Sequence, residues 1–242
     1  VFLTTRDGKF LIKQESKGAI DRLVSTAEEY ERRLERPSLL PRFAGAFTVN
    51  CGRETTHWVV STNVFAGPLG PLTKYDLKGS TRGRKGKKMT LKDLDVLDHG
   101  QGWRCESRQV EEVLRVVQAD AAFLRSKNFL DYSLLVGVLE RRRRCCGRPR
   151  RRLFLWRLRS PRCRLSRRRG VACIRLSPKR DVVAVVGLID VLQNWDLTKK
   201  LEYLARGSLY GFDAISAVPP DRYERRFITF LRNLFLLSSS SS

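Results

Sequence analysis

The alternation of apolar and polar positions divides the chain into a strand-rich opening and a longer second part with two strongly periodic helices. Val1–Thr5 and Lys9–Lys13 flank Arg6-Asp7-Gly8, where Asp-Gly predicts a hairpin turn. From Ala19 to about Arg36, Ile20, Leu23, Val24, Ala27, Tyr30 and Leu34 recur at helical spacing, and Pro37 and Pro41 end that helix. Ala46–Cys51 and His57–Phe65 follow as two strands joined by a polar turn, with Pro68 and Pro71 closing the segment. Between Glu106 and Lys127, Val110, Val113, Leu114, Val117, Ala121 and Leu124 predict an amphipathic helix. Tyr132–Leu139 reads as a buried strand, and Val182–Val186 and Leu188–Leu192 as two strands separated by Gly187. A last helix is expected over Asp221–Leu237, introduced by Pro219 and Pro220.

Composition narrows the class. A 242-residue chain with 42% hydrophobic residues can bury one large core or two small ones. No apolar run approaches the ~20 residues that span a bilayer, and no basic-then-apolar secretory signal opens the chain. The six cysteines lack paired CxxC spacing, so they read as reduced cytosolic thiols rather than zinc ligands or disulfides. With only two histidines, a histidine-centred mechanism is disfavoured.

The net charge of +23 suits a polyanionic partner, either nucleic acid or an anionic lipid surface. Much of the excess is local, because residues 141–169 hold fifteen arginines and no acidic residue. That insert, Arg141 to about Gly170, reads as a solvated loop or mistranslated intron rather than as an added membrane-binding arm. No nucleic-acid-binding motif accompanies it, so no specific nucleic acid is expected as a partner.

Three residues stand out chemically. Lys13 ends an apolar strand, Asp131 immediately precedes a buried strand, and Asp190 interrupts another apolar run. One lysine and two separated aspartates are the minimum for moving a phosphoryl group. The cation holds nucleotide phosphates, one carboxylate orients the attacking hydroxyl, and the other holds magnesium. By residue type alone, aspartates that cap turns fit the same positions.

Longer motifs separate these readings. Asp76-Leu77-Lys78-Gly79-Ser80 resembles the DLKGS signature of the phosphatidylinositol phosphate kinases. Asp131-Tyr132-Ser133-Leu134-Leu135 is similar to their MDYSLL motif, with Leu130 in place of methionine, and Leu188-Ile189-Asp190 to their IID. Thr90–Asp95, Lys199-Lys200-Leu201-Glu202, Ile215–Val218 and Tyr223 through Phe227 follow in that family's order. The resemblance implies an α+β, two-lobed lipid-kinase fold with antiparallel sheets, distantly similar to protein kinases. It places an N-terminal lobe at 1–74, a C-terminal catalytic lobe at 75–237 carrying the insert at 141–170, and a serine tail at 238–242.

It also implies roles. Asp131 would be the catalytic aspartate, Lys13 and Lys78 would bind the nucleotide, and Asp190 would bind magnesium. Arg84, Lys199, Lys200 and Glu202 would bind the lipid substrate. ATP and Mg2+ are the implied cofactors, and the implied partner is a phosphoinositide at an anionic membrane. The implied location is cytoplasmic, peripheral on the cytosolic face of the plasma membrane.

Glu202 after the dilysine, together with Leu192-Gln193 and Ile215–Val218, resembles the 4-phosphate 5-kinases. The 3-phosphate 5-kinases share Lys-Lys-Leu-Glu, so that substrate stays open, as does a catalytically impaired lipid-binding scaffold. Two departures bear on activity. The family's glycine-rich nucleotide loop would lie upstream of Val1. Ala19 aligns with the glutamate that usually pairs with the nucleotide lysine, leaving Glu15 and Asp21 as its possible substitutes.

Overall fold

A computed structural model describes residues 1–66, 73–80, 84–86, 90–98, 107–140, 170–177, 182–196 and 218–236. The expected hairpin forms from β1 (Phe2–Thr4) and β2 (Phe10–Glu15), with Thr4 opposite Leu11. Asp7 closes the turn by accepting from the Thr5 hydroxyl and the Lys9 N–H, and Gly8 supplies the φ of +67°.

The single helix expected over 19–36 is two helices, α1 (Lys17–Ser25) and α2 (Ala27–Leu34). Ser16 caps the first by accepting from the Ala19 N–H. Thr26 separates them: its hydroxyl bonds back to the Arg22 carbonyl at 2.7 Å while its own backbone leaves the helical region. A β-branched residue with a competing hydroxyl breaks the helix without breaking the apolar period. Strands β3 (Phe43–Cys51) and β4 (Glu54–Thr62) complete a four-stranded antiparallel sheet in the order β1-β2-β4-β3.

The second sheet holds β5 (Thr73–Leu77), β6 (Leu91–Lys92), β7 (Ser133–Glu140), β8 (Ala172–Ser177) and β9 (Val182–Ile189), in the order β6-β5-β7-β9-β8. All its pairings are antiparallel except β5 with the two-residue β6. β9 corrects the expectation of two strands, because it runs unbroken through Gly187. That glycine serves close packing rather than a turn. A Cβ there would lie 2.9 Å from Val64 Cγ2 and 3.1 Å from the Gly170 carbonyl oxygen.

Helices α3 (Asp93–Asp98), α4 (Ser107–Ser126) and α5 (Pro220–Leu236) complete the described structure. The α4 stripe Val110, Val113, Val117, Ala121 and Leu124 and the α5 stripe Tyr223, Phe227, Leu231 and Phe235 enter one core with Leu134, Val136, Ala184 and Val186 of the sheet. Arg125 with Glu224 and Arg232 with Gln118 tie the two helices at their polar margins. The fold is α+β, with helices packed on sheets and, among the described residues, no closed barrel. Among the described residues no helix is long and apolar enough to cross a membrane. Cys51 and Cys173, the cysteines within the described residues, are free thiols.

Candidate active site

Strand register brings the key residues to one end of the five-stranded sheet. Leu77 pairs with Leu134 and Ser133 pairs with Ile189. Lys78 leaves the end of β5, Asp131 enters β7 two residues before Ser133, and Asp190 leaves the end of β9. Residues far apart in sequence therefore emerge side by side because three antiparallel strands finish together.

The backbone at both aspartates is unusual. Asp131 has φ +61° and Asp190 φ +58°, in the left-handed region that L-residues adopt at a cost of about 1–3 kcal/mol. Local contacts hold these turns. The end of α4 is a Schellman motif with Asn128 as its left-handed residue: Phe129 N–H donates to the Leu124 carbonyl and Asn128 N–H to the Arg125 carbonyl. Both apolar members of the motif, Leu124 and Phe129, are buried. Next, Leu130 N–H donates to the Gln193 carbonyl and Trp195 N–H to the Asn128 carbonyl, lacing the turn before Asp131 to the turn after Asp190.

Helix α5 pins the same turn from below. The buried Tyr132 ring meets Tyr223 edge-on at 4.8 Å and Phe227 at 5.2 Å, and the Tyr223 hydroxyl donates to the Tyr132 carbonyl. Burial raises both phenols well above their ordinary range, so they stay neutral.

Two lysine–aspartate pairs occupy the sheet end. Lys78 Nζ lies 2.8 Å from Asp131 Oδ1, with the side chains 12% and 24% exposed. The approach is off the hydrogen-bond axis, so charge attraction carries this contact. Lys13 Nζ crosses from the four-stranded sheet to Asp190 Oδ1 at 2.7 Å and also meets Glu15 Oε1 at 2.9 Å. Partial burial opposes the Lys13 charge, but Asp190 and then Glu15 outweigh it and raise the ammonium above its ordinary range.

Glu15 thereby takes the place that sequence left open. It stands two residues after Lys13 on β2, where side chains alternate, so both point to one face. Asp21 is instead committed to Lys17 at 2.8 Å, one turn away on α1.

The turn after β5 is built on a buried carboxylate. Asp93, with no exposed surface, accepts from the Lys78 and Gly79 N–H groups at 2.9 and 2.6 Å and from Arg84 Nε at 2.7 Å. Gly79 has φ +72°, and a Cβ there would lie 3.1 Å from the Arg226 carbonyl, Phe227 Cα and Phe230 Cβ. No other residue satisfies both the dihedral and the approach of α5.

Arg84, expected to meet the substrate, is turned into the protein. It is 7% exposed and its guanidinium is engaged by Asp93 and by the Asp76 carboxylate and carbonyl. Burial disfavours its charge, yet those two carboxylates raise its affinity for the proton. Arg84 braces the Lys78 turn from behind. Lys199, Lys200 and Glu202 lie outside the described residues, as do 141–169 of the insert and the serine tail.

Asp190, 43% exposed, offers a hard oxygen at the rim. Among the described residues no group of three His, Cys, Asp or Glu gathers around a metal position. Magnesium keeps several waters and takes one or two carboxylates plus substrate phosphates, so an accessible aspartate beside a lysine suits it.

Beyond this geometry, the sequence matches the model of the phosphatidylinositol-4-phosphate 5-kinase family across residues 1–153 and 160–234. The chain belongs to that family. Relatives include phosphatidylinositol 4-phosphate 5-kinase 3 of Arabidopsis thaliana, 30% identical over 97% of this chain and 39% of its own length. Phosphatidylinositol 5-phosphate 4-kinase type-2 beta of Rattus norvegicus is 30% identical over 96% of this chain and 66% of its own. The human type-2 alpha 4-kinase is 28% identical over 96% and 67%. The chain thus spans about two-fifths of the length of the Arabidopsis relative and two-thirds of the 4-kinases.

Proposed function

We propose that this chain carries the phosphoryl-transfer centre of a phosphatidylinositol phosphate kinase, acting from the cytosolic face of the plasma membrane. The carrying observation is the convergence of Lys13–Asp190 and Lys78–Asp131 on one strand end. Lys13, held between Glu15 and Asp190, presents a compact cation to the phosphates of ATP. Asp190 would hold Mg2+, which when bound neutralises charge on the transferring phosphate. Asp131 accepts a hydrogen bond from the inositol hydroxyl and takes its proton as the new phosphorus–oxygen bond forms and ADP leaves. Lys78, fixed by Asp93 beneath it, keeps the Asp131 carboxylate in place and offsets anionic charge nearby.

The substrate we assign is phosphatidylinositol 4-phosphate, phosphorylated at its 5-hydroxyl. Glu202 after Lys199-Lys200 supports this, as do Leu192-Gln193 and Ile215–Val218, which resemble the 5-kinase branch. Lys199 and Lys200 would meet the anionic lipid surface, each contributing about 1 kcal/mol.

The test is a headgroup panel. Full-length protein is incubated with radiolabelled ATP and vesicles bearing phosphatidylinositol 3-, 4- or 5-phosphate, and the product is resolved by position. Dominant 4,5-bisphosphate from the 4-phosphate supports the assignment. Label entering chiefly the 5-phosphate or 3-phosphate substrate overturns the specificity, and no transfer to any of them overturns the kinase reading.

A further inference from the structure

Asp120 takes no part in the site, yet it is a fully buried carboxylate in the middle of α4. It accepts from the Leu39 N–H at 2.7 Å and the Ser38 hydroxyl at 2.9 Å, and it lies 2.6 Å from Arg33 Nη2 of α2. Ser38 Oγ in turn accepts from the Leu40 N–H. Three successive residues of the connector between α2 and β3 therefore hang on one side chain.

The connector is tied to β9, which ends at Asp190, and to β4, the neighbour of the strand that carries Lys13. On one side, the Leu39 carbonyl accepts from the Leu188 N–H, two residues before Asp190 on β9. On the other, Arg42 and Thr62 exchange hydrogen bonds, and Thr62 stands opposite Phe10 on β2, the strand that carries Lys13. The connector is also closely walled: a Cβ at Gly170 would lie 2.0 Å from the Leu40 carbonyl oxygen. Tyr30 of α2 holds its far end by donating to the Pro41 carbonyl, and Lys127 with Glu29 adds a second bridge from the end of α4 to α2.

We infer that Asp120 is a positioning residue for phosphoryl transfer: it fixes the 38–42 connector so that Lys13 and Asp190 stay opposed across the two sheets. The inference rests on the reading of Lys13 and Asp190 as the ATP-phosphate and magnesium residues. Asp120 works at a distance, through Leu39 to β9 and through Arg42 and Thr62 to β2. Its loss lets the two sheets shift, and misplacements of about 1 Å at a reacting centre cost up to about 100-fold in rate.

The test is a double-mutant cycle on MgATP affinity in the full-length protein, using Asp120→Asn and Lys13→Met. Asp120→Asn keeps the side-chain volume and an acceptor for Leu39, and is expected to weaken MgATP binding about tenfold. In the Lys13→Met background it is expected to change that affinity less than about twofold, while lowering the unfolding midpoint equally in both backgrounds. Ser38→Ala removes one of the connector's ties to Asp120 while leaving the Leu39 bond and Arg33's partner in place, and is expected to repeat the pattern at smaller size. This keeps the test open if Asp120→Asn folds poorly. Equal weakening in both backgrounds, or none in either while Lys13→Met itself weakens binding, overturns the inference alone. An affinity indifferent to Lys13→Met overturns the reading of the site, and the inference with it.

Discussion

The two lysine–aspartate pairs look alike but are secured differently. Lys78–Asp131 lies within one sheet, its lysine fixed by Asp93 and Arg84 and its aspartate by the α4 cap and Tyr223. Lys13–Asp190 joins two sheets, its side chains 38% and 43% exposed, and it depends on how the connector is docked. The first pair is held within one sheet, and the second is the more exposed and bridges two. On the function proposed above, the aspartate that would orient the hydroxyl belongs to the pair within one sheet, and the groups that would meet the nucleotide to the pair that joins two.

The widest separation between the pairs is expected from Asp190→Asn. Turnover should fall about 10²–10³-fold, as when one electrostatic stabiliser is removed, with the fold intact. Raising magnesium should recover part of it. A magnesium titration of initial rates checks this, and a profile identical to the wild type would remove Asp190 from metal binding.

The next effect is on stability and concerns the connector. Burial pushes the Asp120 carboxyl up to about 6 despite the pull of Arg33, Leu39 and Ser38. Because the folded value exceeds the ordinary 3.8, the folded state holds the proton more tightly. The group's favourable contribution is full below about pH 4 and is lost as pH rises through 6. Urea unfolding from pH 4 to pH 7 should show the wild type losing about 2 kcal/mol relative to Asp120→Asn, from about 1.4 kcal/mol per tenfold change in proton affinity. A constant difference would contradict the burial.

Gly79→Ala should destabilise the protein by about 1–3 kcal/mol, since it combines a positive φ with close backbone contact from α5. Thermal unfolding measures it, and the Lys78–Asp131 pair should suffer first, seen as lost turnover with MgATP affinity retained. Tyr223→Phe should cost about 1 kcal/mol, the worth of its single hydrogen bond to the Tyr132 carbonyl. A neutral result would mean that ring packing alone holds the turn.

Periodicity made α4, α5 and β7 legible in sequence, because their apolar stripes are long and each enters one core. It failed at Thr26, where a side-chain hydrogen bond interrupts a helix whose apolar spacing continues, and at Gly187, where a glycine that looks like a break packs inside a strand. β5 and β8 are five and six residues long and lie beside irregular or arginine-rich sequence, so no alternation announced them. Lys13, Asp131 and Asp190 were visible as charges at the ends of apolar runs. Asp93 and Asp120 were not, since their partners lie 14 and 15 or 81 and 82 residues away. Arg84 was read as a lipid contact, and sequence does not reveal that two carboxylates hold its guanidinium.

Asp131→Asn is the most direct measure of the central claim. The full-length protein should lose turnover on phosphatidylinositol 4-phosphate vesicles by about 10²–10⁴-fold while binding MgATP and unfolding as the wild type does. Turnover within a few-fold of the wild type would contradict the assignment of this strand end as the phosphoryl-transfer centre.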